Sequence, residues 1–188
     1  MAVHRLEEAF NTLPHDAALF LDTSAWMPCL YYGEQVEKRA RASFYIKLFQ
    51  GRCTGNFKFY STLEQISEYW NARLHKEHRA WQNGNKSAFG GIGFKDFRNG
   101  YPADYNEALA ATRAEVKTIL SVSSLLNPLE RFSVGEIAQA AAEHAVDFND
   151  ALYYLICKNY GFALVTEDKD FLPFVNEIDI FTTSKDYP

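Results

Sequence analysis

Apolar residues along the chain fall into short continuous runs separated by helical periodicities. Ala17 to Leu21 is an apolar run ending at Asp22, with Thr23 and Ser24 following as candidate helix caps, so a buried strand feeding a helix through a tight turn is expected. Pro28 fits only the first turn of that helix. From Glu34 to Gln50 the positions Val36, Ala40, Phe44 and Leu48 recur every four residues, the pattern of an amphipathic helix. Phe57 to Tyr60 reads as a second strand and runs through Ser61 and Thr62 into a helix bearing Leu63, Ile66, Trp70 and Leu74. Between Gln82 and Pro102 the pattern dissolves into Asn, Gly and scattered aromatics, which predicts a flexible loop or flap over residues 82–102. Helical periodicity resumes over Ala103 to Leu125, Gly135 to Ala145 and Phe148 to Asn159, and Gly161 is placed to end the last of these. Phe162 to Val165 is a third strand candidate and Ile178 to Phe181 a fourth. Strands separated by helices predict an α/β fold, a three-layer α/β/α sandwich around a mainly parallel central sheet.

The chain has 188 residues, a length that suits one domain over 1–188, with residues 1–16 as an N-terminal helical extension. A charged fraction of 23% argues against disorder. No run approaches the roughly 20 apolar residues of a membrane span, and Met1 to Phe10 carries charges where a signal peptide would be apolar, so a soluble cytoplasmic protein is expected. Cys29, Cys53 and Cys157 are far apart and form no CxxC pair, which points to buried thiols rather than disulfides or zinc.

The net charge of −5 speaks against a nucleic-acid partner until it is split. From Lys38 to Leu63 there is no acid, and Lys38, Arg39, Arg41, Lys47, Arg52 and Lys58 make that stretch strongly basic. Arg73, Lys76 and Arg79, with His75 and His78, extend the basic character along the following helix. Contact with phosphates and a merely solvated helix face are the two readings of these positions. Phe89, Phe94 and Phe97, interleaved with Lys86, Lys95 and Arg98, are candidates for stacking on unpaired bases. The pair His75-x-x-His78 lacks a nearby third ligand and reads as a solvated helix face rather than a zinc site.

In open α/β sheets the ligand site lies at the carboxyl ends of the strands. Asp22 follows the first strand candidate. Ser61 and Thr62, with Glu64 and Glu68 on the next helix, follow the second, and Thr166 and Asp168 follow the third. Asp147 and Asp150 open the helix before the third strand and share a face. Each acid alone can be a helix cap. Gathered at one sheet edge they repel one another and call for a cation, and an all-oxygen set suits Mg²⁺ or Mn²⁺.

These residues resemble the motifs of the PIN-domain nucleases, in particular the VapC-like toxins of toxin-antitoxin pairs. The resemblance rests on Leu-Asp22-Thr-Ser, Ile-Ser-Glu68-Tyr, Asn-Asp150-Ala-Leu and Val-Thr166-Glu-Asp168-Lys-Asp-Phe171, in the family's order from about Ala17 to Phe181. It implies that Asp22, Glu68, Asp150 and Asp168 are the metal-binding and catalytic acids of a Mg²⁺- or Mn²⁺-dependent ribonuclease. Thr166, Asp147, Asp170 and Glu64 stand as supporting positions. Glu64 competes with Glu68, although only Glu68 has the family's apolar-Ser-Glu-aromatic context. Lys38, Arg39, Arg41, Lys47 and Arg73 are the positions offered for RNA. The partners implied are an RNA substrate, a small antitoxin and a second copy in a homodimer, with no membrane. Two other readings stay open: a catalytically silent PIN-fold scaffold for RNA or protein, and an RNA-processing nuclease outside any toxin pair. A haloacid-dehalogenase-like phosphoryl hydrolase is disfavoured because Ser24 stands where a second Asp is usual.

Overall fold

A computed structural model describes residues 2–6, 13–14, 16–30, 36–84 and 86–188; the side chains of residues 36–42 lie outside the described set. The strands are β1 (Val3–Arg5), β2 (Ala17–Leu21), β3 (Phe57–Thr62), β4 (Ser123–Leu126), β5 (Ala163–Val165) and β6 (Ile180–Thr182). The helices are α1 (Thr23–Leu30), α2 (Val36–Cys53), α3 (Leu63–Gly84), α4 (Lys86–Phe89), α5 (Phe94–Gly100), α6 (Pro102–Val122), α7 (Val134–His144) and α8 (Phe148–Tyr160), with 3₁₀ turns at Pro128–Glu130 and Lys169–Phe174. The chain divides into two compact units, residues 1–65 with 122–188, and residues 66–121.

The first unit is built on a sheet of order β1-β6-β5-β2-β3-β4 in which every neighbouring pair is parallel. This is the expected α/β architecture, a parallel sheet with helices around it. β2 is central, so Leu19, Phe20 and Leu21 are fully buried, and its unbroken apolar run is what a strand covered on both faces requires. The core joins Phe20, Leu164 and Ile180 of the sheet to Ile137 and Ala140 of α7, Leu152, Tyr153 and Ile156 of α8, and Phe171 and Phe174 of the 3₁₀ turn. Tyr154 stacks on Phe174 with ring centroids 4.1 Å apart, which ties α8 to the chain that follows β5. Gly161 closes α8 at φ 68°, a left-handed position where a Cβ would be strained, and its N–H donates to the Cys157 carbonyl.

The second unit is helical. Trp81 stacks on Phe89 at 4.2 Å and 8° and meets Tyr101 edge-on at 4.6 Å, while Phe97 is buried against Trp81 and His78. Arg73 Nε donates to Glu115 Oε2 at 2.7 Å, and the Tyr69 hydroxyl donates to the same oxygen at 2.6 Å, which binds α3 to α6.

Several expectations change here. Residues 82–102 hold α4, α5 and the end of α3 rather than a loop or flap. Their aromatics look scattered in sequence because they converge on Trp81 and His78 of another helix instead of on their own periodicity. Residues 3–5 are an edge strand paired with β6, not part of a helical extension, while residues 7–12 lie outside the described residues. The helical reading of 103–125 ends at Val122, and Ser123–Leu126 is the strand β4. Pro28 lies beyond the first turn of α1, which ends two residues later. Cys29 and Cys157 are buried as expected, but Cys53 is exposed. Among the described residues no helix is long and apolar enough to cross a membrane.

Candidate active site

β2 and β5 pair in register, Leu21 beside Val165, so the residues that leave the two strands leave side by side. The Asp22 N–H donates to the Val165 carbonyl at 3.0 Å and holds that register one residue past the strand. Asp22 then serves two purposes. Its Oδ1 accepts from the Thr23 amide at 2.6 Å, which starts α1, and its Oδ2 accepts from the Ser24 hydroxyl at 2.6 Å and the Thr166 hydroxyl at 3.0 Å. Asp22 is buried, and burial raises its carboxyl above the usual range against these hydrogen bonds, which favour the ionised form.

Thr166 is fully buried and joins two acids. Its hydroxyl donates to Asp22 and accepts from the Asp168 amide at 2.9 Å. The Ser24 hydroxyl plays a parallel part, accepting from the Glu167 amide at 2.9 Å. Asp168 caps the 3₁₀ turn, its Oδ1 accepting from the Asp170 amide at 3.0 Å, and the side chain is exposed.

Asp147 is the N-cap of α8, its Oδ1 accepting from the amides of Asn149 and Asp150, both at 2.9 Å. That fixes Asp150 in the first turn of α8. A helix N-terminus favours an ionised carboxyl. Here burial, with the negative charges of Asp147, Asp22, Asp168 and Asp170, outweighs that effect and pushes the Asp150 carboxyl up to about 8. Among the described residues no hydrogen-bond donor or cation is paired with the Asp150 carboxylate.

Of the four principal acids expected from sequence, Asp22 and Asp168 are therefore near enough to act on the charge of a third, Asp150, with Asp147 and Asp170 in the same field. Glu64 belongs to the first unit, in the opening turn of α3, and its Oε2 is buried without a hydrogen-bond partner. Glu68 lies one turn further along the helix, half-buried, in the second unit.

The chemistry of the first-unit set fits a divalent cation. It is all carboxylate oxygen, and the negative charges of Asp147, Asp22, Asp168 and Asp170 add to burial in raising the Asp150 carboxyl. As the side chains lie, no three acidic, histidine or cysteine groups among the described residues already enclose an ion-sized space. Oxygens of Asp22, Asp147 and Asp168 are engaged by the Thr23, Asn149 and Asp170 amides among others.

The sequence did not single out three other residues of this region. Glu167 lies within the acid run, yet its Oε1 accepts from the Tyr45 hydroxyl, the Thr183 amide at 2.7 Å, and the hydroxyls of Thr183 at 2.9 Å and Thr182 at 3.3 Å. Tyr45 is the second such residue, and burial followed by the Glu167 charge raises its hydroxyl well above normal. Tyr187 is the third. It is buried, its hydroxyl donates to the Asp168 carbonyl, and burial with the charges of Asp168, Asp22, Glu167 and Asp150 raises its own ionisation.

Positions offered for RNA divide. Lys47 is exposed, its Nζ 5.6 Å from the Phe44 ring centroid. The side chains of Lys38, Arg39 and Arg41 lie outside the described residues. Arg52 Nε donates to the Val122 carbonyl at 2.7 Å, and Lys58 pairs with Asp16 at 3.5 Å. Arg73 does not present itself to phosphate: it is 3% exposed and paired with Glu115 and Glu77. His78 is likewise buried, its Nε2 bonded to the Ile92 carbonyl at 2.9 Å, not on a solvated face. Phe89, Phe94 and Phe97 pack on one another's neighbours in the aromatic cluster rather than standing free for bases.

The PIN domain family model matches residues 71–174, a span that includes Asp150 and Asp168 and begins after Asp22. The fold is similar to that of PAE2754 from Pyrobaculum aerophilum, with a TM-score of 0.50, 23% identity, and coverage of 87% of this chain and 91% of that one. A more distant likeness, TM-score 0.47 and 11% identity over 88% of this chain and 98% of the other, is to VapBC2 from Rickettsia felis bound to a DNA fragment from their promoter. No curated protein matches the sequence.

Proposed function

The chain belongs to the PIN-domain family, and from that premise we propose that it is a divalent-metal-dependent ribonuclease, the toxin of a type II toxin-antitoxin pair. The observation that carries the reading is the field around Asp150, whose carboxyl is pushed up to about 8 by burial and by Asp147, Asp22, Asp168 and Asp170. A purely structural set of caps has no need of such mutual repulsion, and relief by a cation accounts for it.

In this reading Asp22, Asp150 and Asp168 hold Mg²⁺ or Mn²⁺, and the fourth acid is Glu68, with Glu64 as the competitor. The cation, when bound, supplies Lewis acidity toward water and toward the phosphodiester. The protein's own groups set the geometry. Thr166 and Ser24 fix the Asp22 carboxylate by hydrogen bonds to Oδ2, and Asp147 fixes the backbone that carries Asp150. Lys47, with Lys38, Arg39 and Arg41 of the same acid-free stretch, takes the RNA backbone. The partners are an RNA substrate and a small antitoxin, and a homodimer is the proposed assembly.

Cleavage of a labelled RNA by the wild type and by Asp22→Asn and Asp150→Asn tests the reading. Both variants should lose metal-dependent cleavage while keeping the wild-type circular dichroism spectrum. Full activity in both would exclude the mechanism. Gln substitutions at Glu64 and Glu68, assayed separately, decide the fourth acid. A metal-dependent RNase with no antitoxin gene beside it would move the assignment to RNA processing.

A further inference from the structure

Asp168 stands on the short connection between β5 and the 3₁₀ turn, and its exposed side chain cannot by itself hold that connection in place. The backbone on the amide side is fixed by Thr166, whose hydroxyl takes the Asp168 N–H at 2.9 Å. On the carbonyl side the Asp168 oxygen accepts a long bond from the Phe171 amide at 3.4 Å and a second bond from the Tyr187 hydroxyl. Tyr187 is 2% exposed and belongs to the core cluster that includes Ala151 and Tyr154 of α8 and Phe171 and Phe174 of the 3₁₀ turn. Tyr187 therefore shares one buried cluster with the helix that carries Asp150, and its hydroxyl is bonded to the residue that carries the Asp168 carboxylate.

The main chain at Tyr187 is anchored in turn. Arg5, at the end of edge strand β1, donates to the Tyr187 carbonyl at 2.8 Å and to the Ser184 carbonyl. The Ser184 amide donates to the Thr182 hydroxyl at 3.0 Å, so the segment after β6 folds back from the point where β1 and β6 pair, Arg5 beside Thr182. A packing role alone would be filled by Phe. The hydroxyl does something a Phe ring cannot, which is to give the Asp168 carbonyl a donor beyond the 3₁₀ turn's own amide.

We propose that Tyr187, held by Arg5, is a positioning residue that sets the Asp168 backbone relative to α8 and so tunes the affinity of the acid cluster for its divalent cation. The proposal rests on the metal-dependent reading given above. A ligand-bearing loop held within a fraction of an ångström by an outer hydrogen bond binds better than one left to fluctuate.

The test is Tyr187→Phe in the full chain, with Mn²⁺ affinity read by calorimetry, metal-free melting by circular dichroism, and RNA cleavage over a series of Mn²⁺ concentrations. Loss of the hydroxyl should weaken Mn²⁺ binding about tenfold and lower the metal-free melting temperature by no more than about 4 °C. Saturating Mn²⁺ should restore kcat, with KM for RNA unchanged. Arg5→Lys keeps the charge but not the two-carbonyl fork, and should weaken Mn²⁺ binding in the same direction. Wild-type Mn²⁺ affinity in Tyr187→Phe, or a loss of kcat that Mn²⁺ does not restore, overturns the positioning role and leaves the nuclease reading untouched. A wild type that binds no Mn²⁺ overturns both.

Discussion

The Thr166 hydroxyl donates to Asp22 Oδ2 at 3.0 Å across the β2–β5 pairing, and neither residue is open to solvent. Because the same hydroxyl accepts the Asp168 amide, one side chain orients the acids that leave two neighbouring strands. Thr166→Val keeps the shape and removes both bonds. It should cost about 1–3 kcal/mol of stability, since a buried carboxylate oxygen and a partly buried amide each lose a partner. It should also lower cleavage, and Thr166→Ser should recover most of both losses. Denaturant unfolding alongside an RNA cleavage assay checks this.

The Asp150 carboxyl gives a pH dependence of definite sign. Its ordinary value is 3.8 and in the folded chain it is about 8, so between those values the folded state binds a proton that the unfolded chain does not. The stabilising contribution is fully present below the unfolded value and is lost as pH rises through about 8. Metal-free protein should therefore melt lower at pH 9 than at pH 6, and Asp150→Asn should flatten that difference. Asp22, raised in the same direction, leaves a residual slope.

Cation binding runs against the same proton. At pH 7 a large share of Asp150 is protonated, so Mg²⁺ must displace protons and its apparent affinity should climb between pH 6 and 8. Calorimetric titrations in two buffers of different ionisation enthalpy read the protons released. Equal enthalpies in both buffers would show that none leaves.

Arg73 was a candidate for phosphate contact, and its surroundings give it another task. The Arg73 side chain is buried and paired with Glu115 and Glu77, which are partly exposed, so Arg73→Ala removes the charge-assisted hydrogen bonds to both acids. The expected loss is about 1.5–3 kcal/mol of stability, with little change in the salt dependence of RNA binding. Lys47→Glu should do the opposite, leaving stability near wild type and reducing the salt slope of RNA binding by roughly one or more.

How far the sequence could be read depended on where each element's partners lie. The run Ala17–Leu21 ending at Asp22 announced a central strand and its site because a strand buried on both faces must be apolar throughout. β1 (Val-His-Arg) and β4 (Ser-Ser-Leu-Leu) carry no such signal, since these edge strands are short and only partly buried. Asp150 and Asp168 were visible as acids at element starts. The environment that makes Asp150 unusual was not, because it comes from burial in the fold and from charges just past β2 and β5 as well as at the start of its own helix. Arg73 and His78 were misread for the same reason: Glu115 lies 42 residues from Arg73, and Ile92 lies 14 from His78. Tyr187, 19 residues past Asp168, has no local pattern to mark it.

The central claim is that the carboxylates at the β2 and β5 ends bind a divalent cation that RNA cleavage requires. Its most direct test is a calorimetric titration of Mn²⁺ into the wild type and Asp150→Asn at pH 7.5, paired with cleavage of one labelled RNA in Mn²⁺ and in EDTA. Wild-type protein should bind Mn²⁺ and cleave only when it is present. Asp150→Asn should lose more than about a hundredfold in affinity, beyond what loss of an outer partner costs, and lose cleavage with it. Cleavage that persists in EDTA, or Mn²⁺ binding unchanged in Asp150→Asn, would contradict the claim.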